Sequence, residues 1–128
     1  MNSVRSLVLV LATCASVAFA EWRSLGNYDT HSFLGGNELT IRSGSAILRI
    51  TILAPDLVRI RLSPGGTFAP DHSWAVVKTN WPNVDAVLQE EADRLILLTP
   101  QMRLVVRKYP LRIAFLDNTG NLLNEDEP

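Results

Sequence analysis

From Leu48 to Pro64 the chain alternates with a period of two. LRITILAPDLVRIRLSP puts Leu48, Ile50 and Ile52 on one side of an extended backbone and Arg49 and Thr51 on the other. After Ala54-Pro55-Asp56 the pattern resumes, with Val58, Ile60 and Leu62 opposed to Arg59 and Arg61. Such alternation predicts half-buried strands, apolar toward a core and charged toward water. Pro55 has no backbone N–H and Asp56 can bond the local backbone, so the two strands read as a β-hairpin.

The rest of the chain follows the same grammar. Glu38–Arg42 alternates with Leu39 and Ile41 inward, and Ser43-Gly44-Ser45 supplies a turn. Pro64-Gly65-Gly66 ends the hairpin, Thr67–Asp71 reads as loop and Trp74–Val77 as a short apolar piece. Ala86–Gln89 is a weak strand and Leu95–Leu98 a stronger one. Met102, Leu104 and Val106 then alternate with Arg103, Val105 and Arg107. Beyond Tyr109-Pro110, Leu111, Ile113 and Phe115 alternate with Arg112, Ala114 and Leu116. Asp117-Asn118-Thr119-Gly120 is a turn before a polar tail. The expected class is all-β, an antiparallel β-sandwich. Glu21–Asn37 reads as a polar lead-in with one edge strand around Tyr28–Phe33, and 38–128 as the sandwich domain.

The first twenty residues stand outside that grammar. Arg5, the apolar run Leu7–Ala12 and Ala18-Phe19-Ala20 predict a helical signal peptide, Met1–Ala20, cleaved after Ala20 to a secreted or periplasmic product. A rival cleavage before Cys14, leaving a lipidated cysteine, would follow the awkward Thr13. Cleavage after Ala20 removes Arg5 and the chain's one cysteine. That leaves 108 residues with eleven Lys and Arg against thirteen Asp and Glu. With no thiol there is no disulfide framework, so the hydrophobic core must hold the domain. A charge balance this even argues against nucleic acid and, once the signal is gone, against a membrane as partner.

Candidate chemistry is sparse. Arg42, Arg49, Arg59, Arg61, Arg103, Arg107 and Arg112 occupy outward strand positions, either as an anion-binding face or as a solvated face whose charges pair across strands. Trp22, Trp74 and Trp81 are candidate carbohydrate contacts, since sugars lie flat on aromatic rings; the plainer alternative is that they plug the sandwich. His31 and His72 are far apart and lack further ligands at metal or acid–base spacing. Asp56, Asp71, Asp93 and Asp117 sit at turns, where local hydrogen bonding explains them. No cofactor motif, phosphate loop or serine nucleophile elbow is present.

Three stretches resemble a known family: Ala54–Arg61 (APDLVRIR), Pro70–Val77 (PDHSWAVV) and Pro110–Pro128 (PLRIAFLDNTGNLLNEDEP). Together they are similar to the N-terminal, galactose-mutarotase-like β-sandwich of glycoside hydrolase family 31, the α-glucosidase and α-xylosidase group, over nearly all of Glu38–Pro128. The resemblance implies a retaining α-glycosidase acting on α-glucoside or α-xyloside oligosaccharides. Its paired aspartates, about 5–5.5 Å apart, would sit on a (β/α)8 barrel of about 250 residues that follows the sandwich. No position here matches those catalytic motifs, so no catalytic residue is transferred. The chain is expected to be the leading part of such an enzyme and inactive alone. A stand-alone carbohydrate-binding sandwich is the alternative, and a mutarotase using His31 or His72 would need a carboxylate partner. An incomplete sandwich would leave an unpaired edge and expose apolar residues of the Leu95–Leu98 and Leu111–Phe115 strands.

Overall fold

The computed structural model describes residues 24–71, 78 and 80–126. The expected signal segment Met1–Ala20, Trp22, His72 and the Trp74–Val77 piece lie outside the described residues.

Among the described residues nine strands form two antiparallel sheets. The first holds β1 (Thr30–Leu34), β2 (Glu38–Ser43), β3 (Ala46–Ala54) and β4 (Leu57–Ser63), in that order. The second holds β5 (Val87–Glu90), β6 (Arg94–Leu98), β7 (Met102–Lys108), β8 (Leu111–Asp117) and β9 (Leu122–Glu125), also in sequence order. Each sheet is thus a plain meander, the arrangement that short turns between alternating runs favour.

Register decides which side chains meet. In the first sheet Ile41 pairs with Leu48 and Leu48 with Leu62, while Leu39 pairs with Ile50 and Ile50 with Ile60. These rows face the second sheet, where Leu97 pairs with Leu104 and Leu104 with Phe115, and Leu95 with Val106 and Val106 with Ile113. Leu39, Ile41, Ile50, Leu95, Leu104 and Val106 are completely buried between the layers. Each such side chain contributes roughly 1.5–3 kcal/mol relative to exposure.

The hairpin at Pro55-Asp56 forms as the alternation predicts, but its second strand is not core. Ile60 is 40% exposed and Leu62 47%, although both share a face with fully buried partners. The reason is lateral: β4 is the edge of its sheet, beyond the cover of the opposite layer. Only Val58, nearer the turn, packs against the core.

A second expectation also fails in detail. Leu95, Leu97, Leu111 and Ile113, inward on β6 and β8, are buried, and the most exposed large apolar residues lie elsewhere: Leu34, Leu57, Ile60, Leu62, Val87, Tyr109, Leu122 and Leu123. Leu122 and Leu123 belong to β9, a strand that the unalternating LLNEDEP tail does not predict. It pairs with β8 through a bulge between Phe115 and Leu116, and Asp126 fastens its end, accepting from the Ile113 N–H through Oδ2 at 2.9 Å.

The lead-in is part of the sandwich. Its strand, β1, starts at Thr30, while Tyr28 lies just before it and donates its backbone N–H to the Lys108 carbonyl at 2.9 Å. The Leu111 N–H reaches the Gly26 carbonyl at 2.8 Å, and the Ala86 N–H reaches the Gly36 carbonyl at 2.7 Å. At the opposite end the Thr99 hydroxyl donates to the Pro55 carbonyl. The two layers are therefore clasped by backbone groups as well as by the core.

Position across the sheet should govern mutational sensitivity. Ile50→Ala is expected to destabilise by about 3 kcal/mol, and Ile60→Ala, its direct partner at the edge, by under about 1 kcal/mol. Urea unfolding of the two variants measures the difference.

Candidate functional site

The described ionisable groups gather in two places. At one end of the sandwich, β7 finishes on Lys108, whose position continues the inward row Met102, Leu104, Val106. The side chain is only 6% exposed. Its Nζ donates to Glu90 Oε1 at 2.8 Å and to the Glu91 carbonyl at 2.9 Å, and stands 4.9 Å from the centre of the Tyr28 ring. A buried ammonium is tolerated only with such partners. The hydrogen bond from Lys108, with its charge, holds the Glu90 carboxyl below its ordinary range, and the same bond raises Lys108.

Tyr28 extends this cluster toward β1. Its hydroxyl lies 2.7 Å from His31 Nδ1, and burial, with Glu90 nearby, pushes the phenol above its ordinary value. The phenol therefore stays protonated, in hydrogen-bond contact with the imidazole. After Lys108, His31 is a lesser cause of the lowering of Glu90, so a carboxylate that sequence spacing does not show lies in the neighbourhood of His31. That carboxylate is already committed to Lys108, however, so it neutralises a buried cation and is not free to take a proton. The sequence signal for this cluster is faint but real: Lys108 and Glu90 are charged residues on the inward register of their strands.

The second gathering covers the outer face of the first sheet. Arg49 and Arg61 stand directly opposite each other on β3 and β4, an arrangement that is repulsive on its own. The loop after β4 folds back over them. The Phe68 ring lies 4.6 Å from the Arg49 guanidinium carbon and 4.9 Å from that of Arg61, so one aromatic face serves both cations. Asp71 takes a two-pronged bond from Arg59, one arm at 2.7 Å, and lies 3.8 Å from Arg61. The Arg59 bonds lower the Asp71 carboxyl. Arg61 also donates to the Ala69 carbonyl at 2.7 Å, and Arg49 Nε, buried and without a hydrogen bond, is 3.5 Å from Glu38 Oε1. Arg49, Arg59 and Arg61 are thus occupied by the chain's own groups, which favours the paired-face reading over an anion site for these three. Asp71 departs from the expectation of purely local bonding: its partners are strand arginines.

Other turn carboxylates behave as expected. Asp93 pairs with Arg94 at 2.8 Å. Asp117 accepts from the Thr119 hydroxyl at 2.7 Å and from the Asn121 side-chain amide at 2.8 Å, and these bonds hold it well below the ordinary carboxylate range. Gly120, at φ 95°, lets the chain turn around it. Trp81 is half-buried, with the Lys78 ammonium 4.4 Å from its ring centre, so one face of this candidate platform is taken. Trp22 and Trp74, the other two candidates, and His72 fall outside the described residues. Among the described residues no group of three or more His, Cys, Asp and Glu could hold a metal ion.

Residues 47–128 match the family model described as "Glycosyl hydrolase 31 N-terminal galactose mutarotase-like domain". An α-glucosidase 2 of Bacillus thermoamyloliquefaciens is 31% identical over 99 residues, covering 77% of this chain and 12% of that protein. A glycoside hydrolase family 31 dextranase of Flavobacterium johnsoniae, solved with glucose, superposes with a TM-score of 0.73 at 26% identity, over 84% of this chain and 13% of its own. A cycloalternan-forming enzyme of Listeria monocytogenes shares the fold, with a TM-score of 0.61 at 16% identity over 80% of this chain and 9% of its own. The chain thus spans about an eighth of the length of the first two proteins.

The Lys108–Glu90 pair makes a pH prediction. Glu90 is lowered, so its contribution is present above the ordinary value of 4.5 and is lost as pH falls through the lowered one. Lys108 is raised, so its contribution is present below 10.5 and is lost as pH rises through the raised one. Lys108→Met, which removes the buried charge, is expected to stay within about 1 kcal/mol of the parent. Glu90→Gln, which strands the ammonium, should be the more destabilising. Thermal melts of parent and variants across pH 3–12 check both the order and the window.

Proposed function

Since this chain belongs to the glycosyl hydrolase 31 N-terminal galactose mutarotase-like domain family, we propose that it serves as the N-terminal sandwich of an exported, retaining α-glycosidase of carbohydrate metabolism. Bond cleavage, on an α-glucoside or α-xyloside oligosaccharide, is assigned to a catalytic barrel carried on the same polypeptide. The observation that carries this reading is the family match, taken with relatives about eight times longer than the region they share with this chain.

The chemistry of the described residues supports a supporting role. Their conspicuous charged groups neutralise one another, Lys108 with Glu90 and Arg59 with Asp71. Such pairs hold a layer or a loop in place; they do not attack a glycosidic carbon, which needs two carboxylates across the scissile bond. The signal sequence Met1–Ala20 supports export, which brings the enzyme to sugars outside the cytoplasm.

An antibody raised to this domain, used on its native source, tests the reading. The expected product is several times heavier than 108 residues, starts at Glu21 and brings α-glucosidase or α-xylosidase activity down with it. A product of the size of the mature domain would overturn the proposal. Retention of that small product on immobilised glycans, abolished by Trp81→Ala, would make it a stand-alone carbohydrate-binding module.

A further inference from the structure

Before it becomes β1, the lead-in crosses the end of the first sheet and leaves a hollow there. Gly26, at φ 84°, turns over Ser43, whose hydroxyl oxygen would stand 3.3 Å from an added Cβ. The next backbone N–H groups then diverge, Tyr28 donating to the Lys108 carbonyl and Asp29 to the Arg42 carbonyl. That divergence marks extended chain, in which neighbouring side chains take opposite sides. Tyr28 sends its ring toward the Lys108 ammonium, so Asn27 and Asp29 face away from that cluster together. Both line a hollow of about 670 Å³, bounded on its far side by the β2–β3 turn and the end of β4. Small-molecule sites have volumes of this order.

The polar lining is rich in acceptors. Ser43 and Ser45 give their hydroxyl protons to the Leu25 and Pro64 carbonyls, which leaves their oxygens as acceptors. Asp29 takes the Gly44 N–H on Oδ2 at 2.6 Å, and a carboxylate has further lone pairs to offer. The Asn27 amide and the Ser24 hydroxyl, which accepts from the Gly26 N–H, are the side-chain donors. The rest of the lining is apolar, chiefly Leu62, 47% exposed, with Leu25 and Pro64. A metal ion or a bare ammonium gains nothing from such a surface. A sugar uses all of it, because its hydroxyls both donate and accept while its C–H groups lie against an aliphatic side chain. A carboxylate beside an amide suits two adjacent hydroxyls.

We propose that this hollow is a saccharide-holding site, in which Asn27 and Asp29 take adjacent hydroxyls of one neutral sugar unit and Leu62 carries its apolar side. The site holds a chain of sugars and cleaves nothing, since glycoside hydrolysis needs two carboxylates across the scissile bond and Asp29 is the one acid in the lining. The choice of an α-glucan as ligand rests on the glycosidase reading above; the site itself does not.

Native electrophoresis of the full-length product through gels containing soluble starch tests the inference. The catalytic centre is first blocked as a trapped glycosyl-enzyme, the covalent species of a retaining mechanism, so that retardation reports sites elsewhere. The parent should be retarded, and free maltotriose should release it. Asn27→Ala, at an exposed position, and Asp29→Asn, which still accepts from Gly44, should each weaken the retardation at least roughly fivefold, the worth of one hydrogen bond. Thermal melts of parent and variants should coincide. A parent that is not retarded, or retardation that both variants leave unchanged, overturns the site. Release by ethanolamine hydrochloride as readily as by maltotriose makes the hollow a cation site and overturns the sugar. A product no heavier than the mature domain needs no blocking. In that case the glycosidase reading falls, while retardation lost with Asn27→Ala still upholds the saccharide site.

Discussion

Everything in this domain hangs on one seam, the apolar rows of β2 and β3 pressed against those of β6 and β7. Neither sheet is self-sufficient, because a few strands with one wet face bury too little to offset the chain entropy of ordering them. Brought together, Leu39, Ile41, Ile50 and Ile52 close over Leu95, Leu97, Leu104 and Val106, all essentially without solvent contact. With no disulfide to constrain the unfolded chain in this region, that burial is the main source of order. The polar devices are arranged around it. Lys108 stops the seam at one end by placing a neutralised ammonium where the next inward side chain would be, and the Thr99–Pro55 bond stops it at the other.

How much of this the sequence discloses follows from what a period of two encodes. Alternation states which face a residue occupies, and it does so correctly for Leu39, Ile41, Ile50, Leu104 and Ile113. It says nothing about where a strand stands across its sheet. Ile60 and Ile50 are indistinguishable in pattern, yet one is at an edge and the other at the centre. Long-range partners are equally silent. Glu90 and Lys108 come from different strands, and Asp71 reaches back to an arginine twelve residues away. The tail strand β9 is invisible because its residues take their place from β8 and from the Asp126 bond, with no periodicity of their own. The tryptophans, chosen by residue type alone, include one whose ring is already shared with a lysine.

The two charged gatherings differ in physical consequence. The arginine face with its Phe68 and Asp71 cover is exposed, and each of its ion pairs is worth little; its effect is to lay the loop after β4 flat on the sheet. The Lys108 cluster is buried, so breaking it would leave a charge in an apolar setting. Family membership gives both a context. In a glycoside hydrolase family 31 N-terminal sandwich the ordering of loops and layer ends is the contribution that this part of the structure is equipped to make.

The unbroken meander has a kinetic consequence. Every strand pairs only with the strand made just before or just after it, so hairpin closure involves short loops and little lost chain entropy. The first four strands are in hand once Ser63 has been synthesised and can zip together without waiting for the rest. Only the meeting of the two layers is a distant event. A polypeptide that emerges in one direction, whether from a ribosome or through an export pore, can therefore assemble this domain in the order in which its residues arrive.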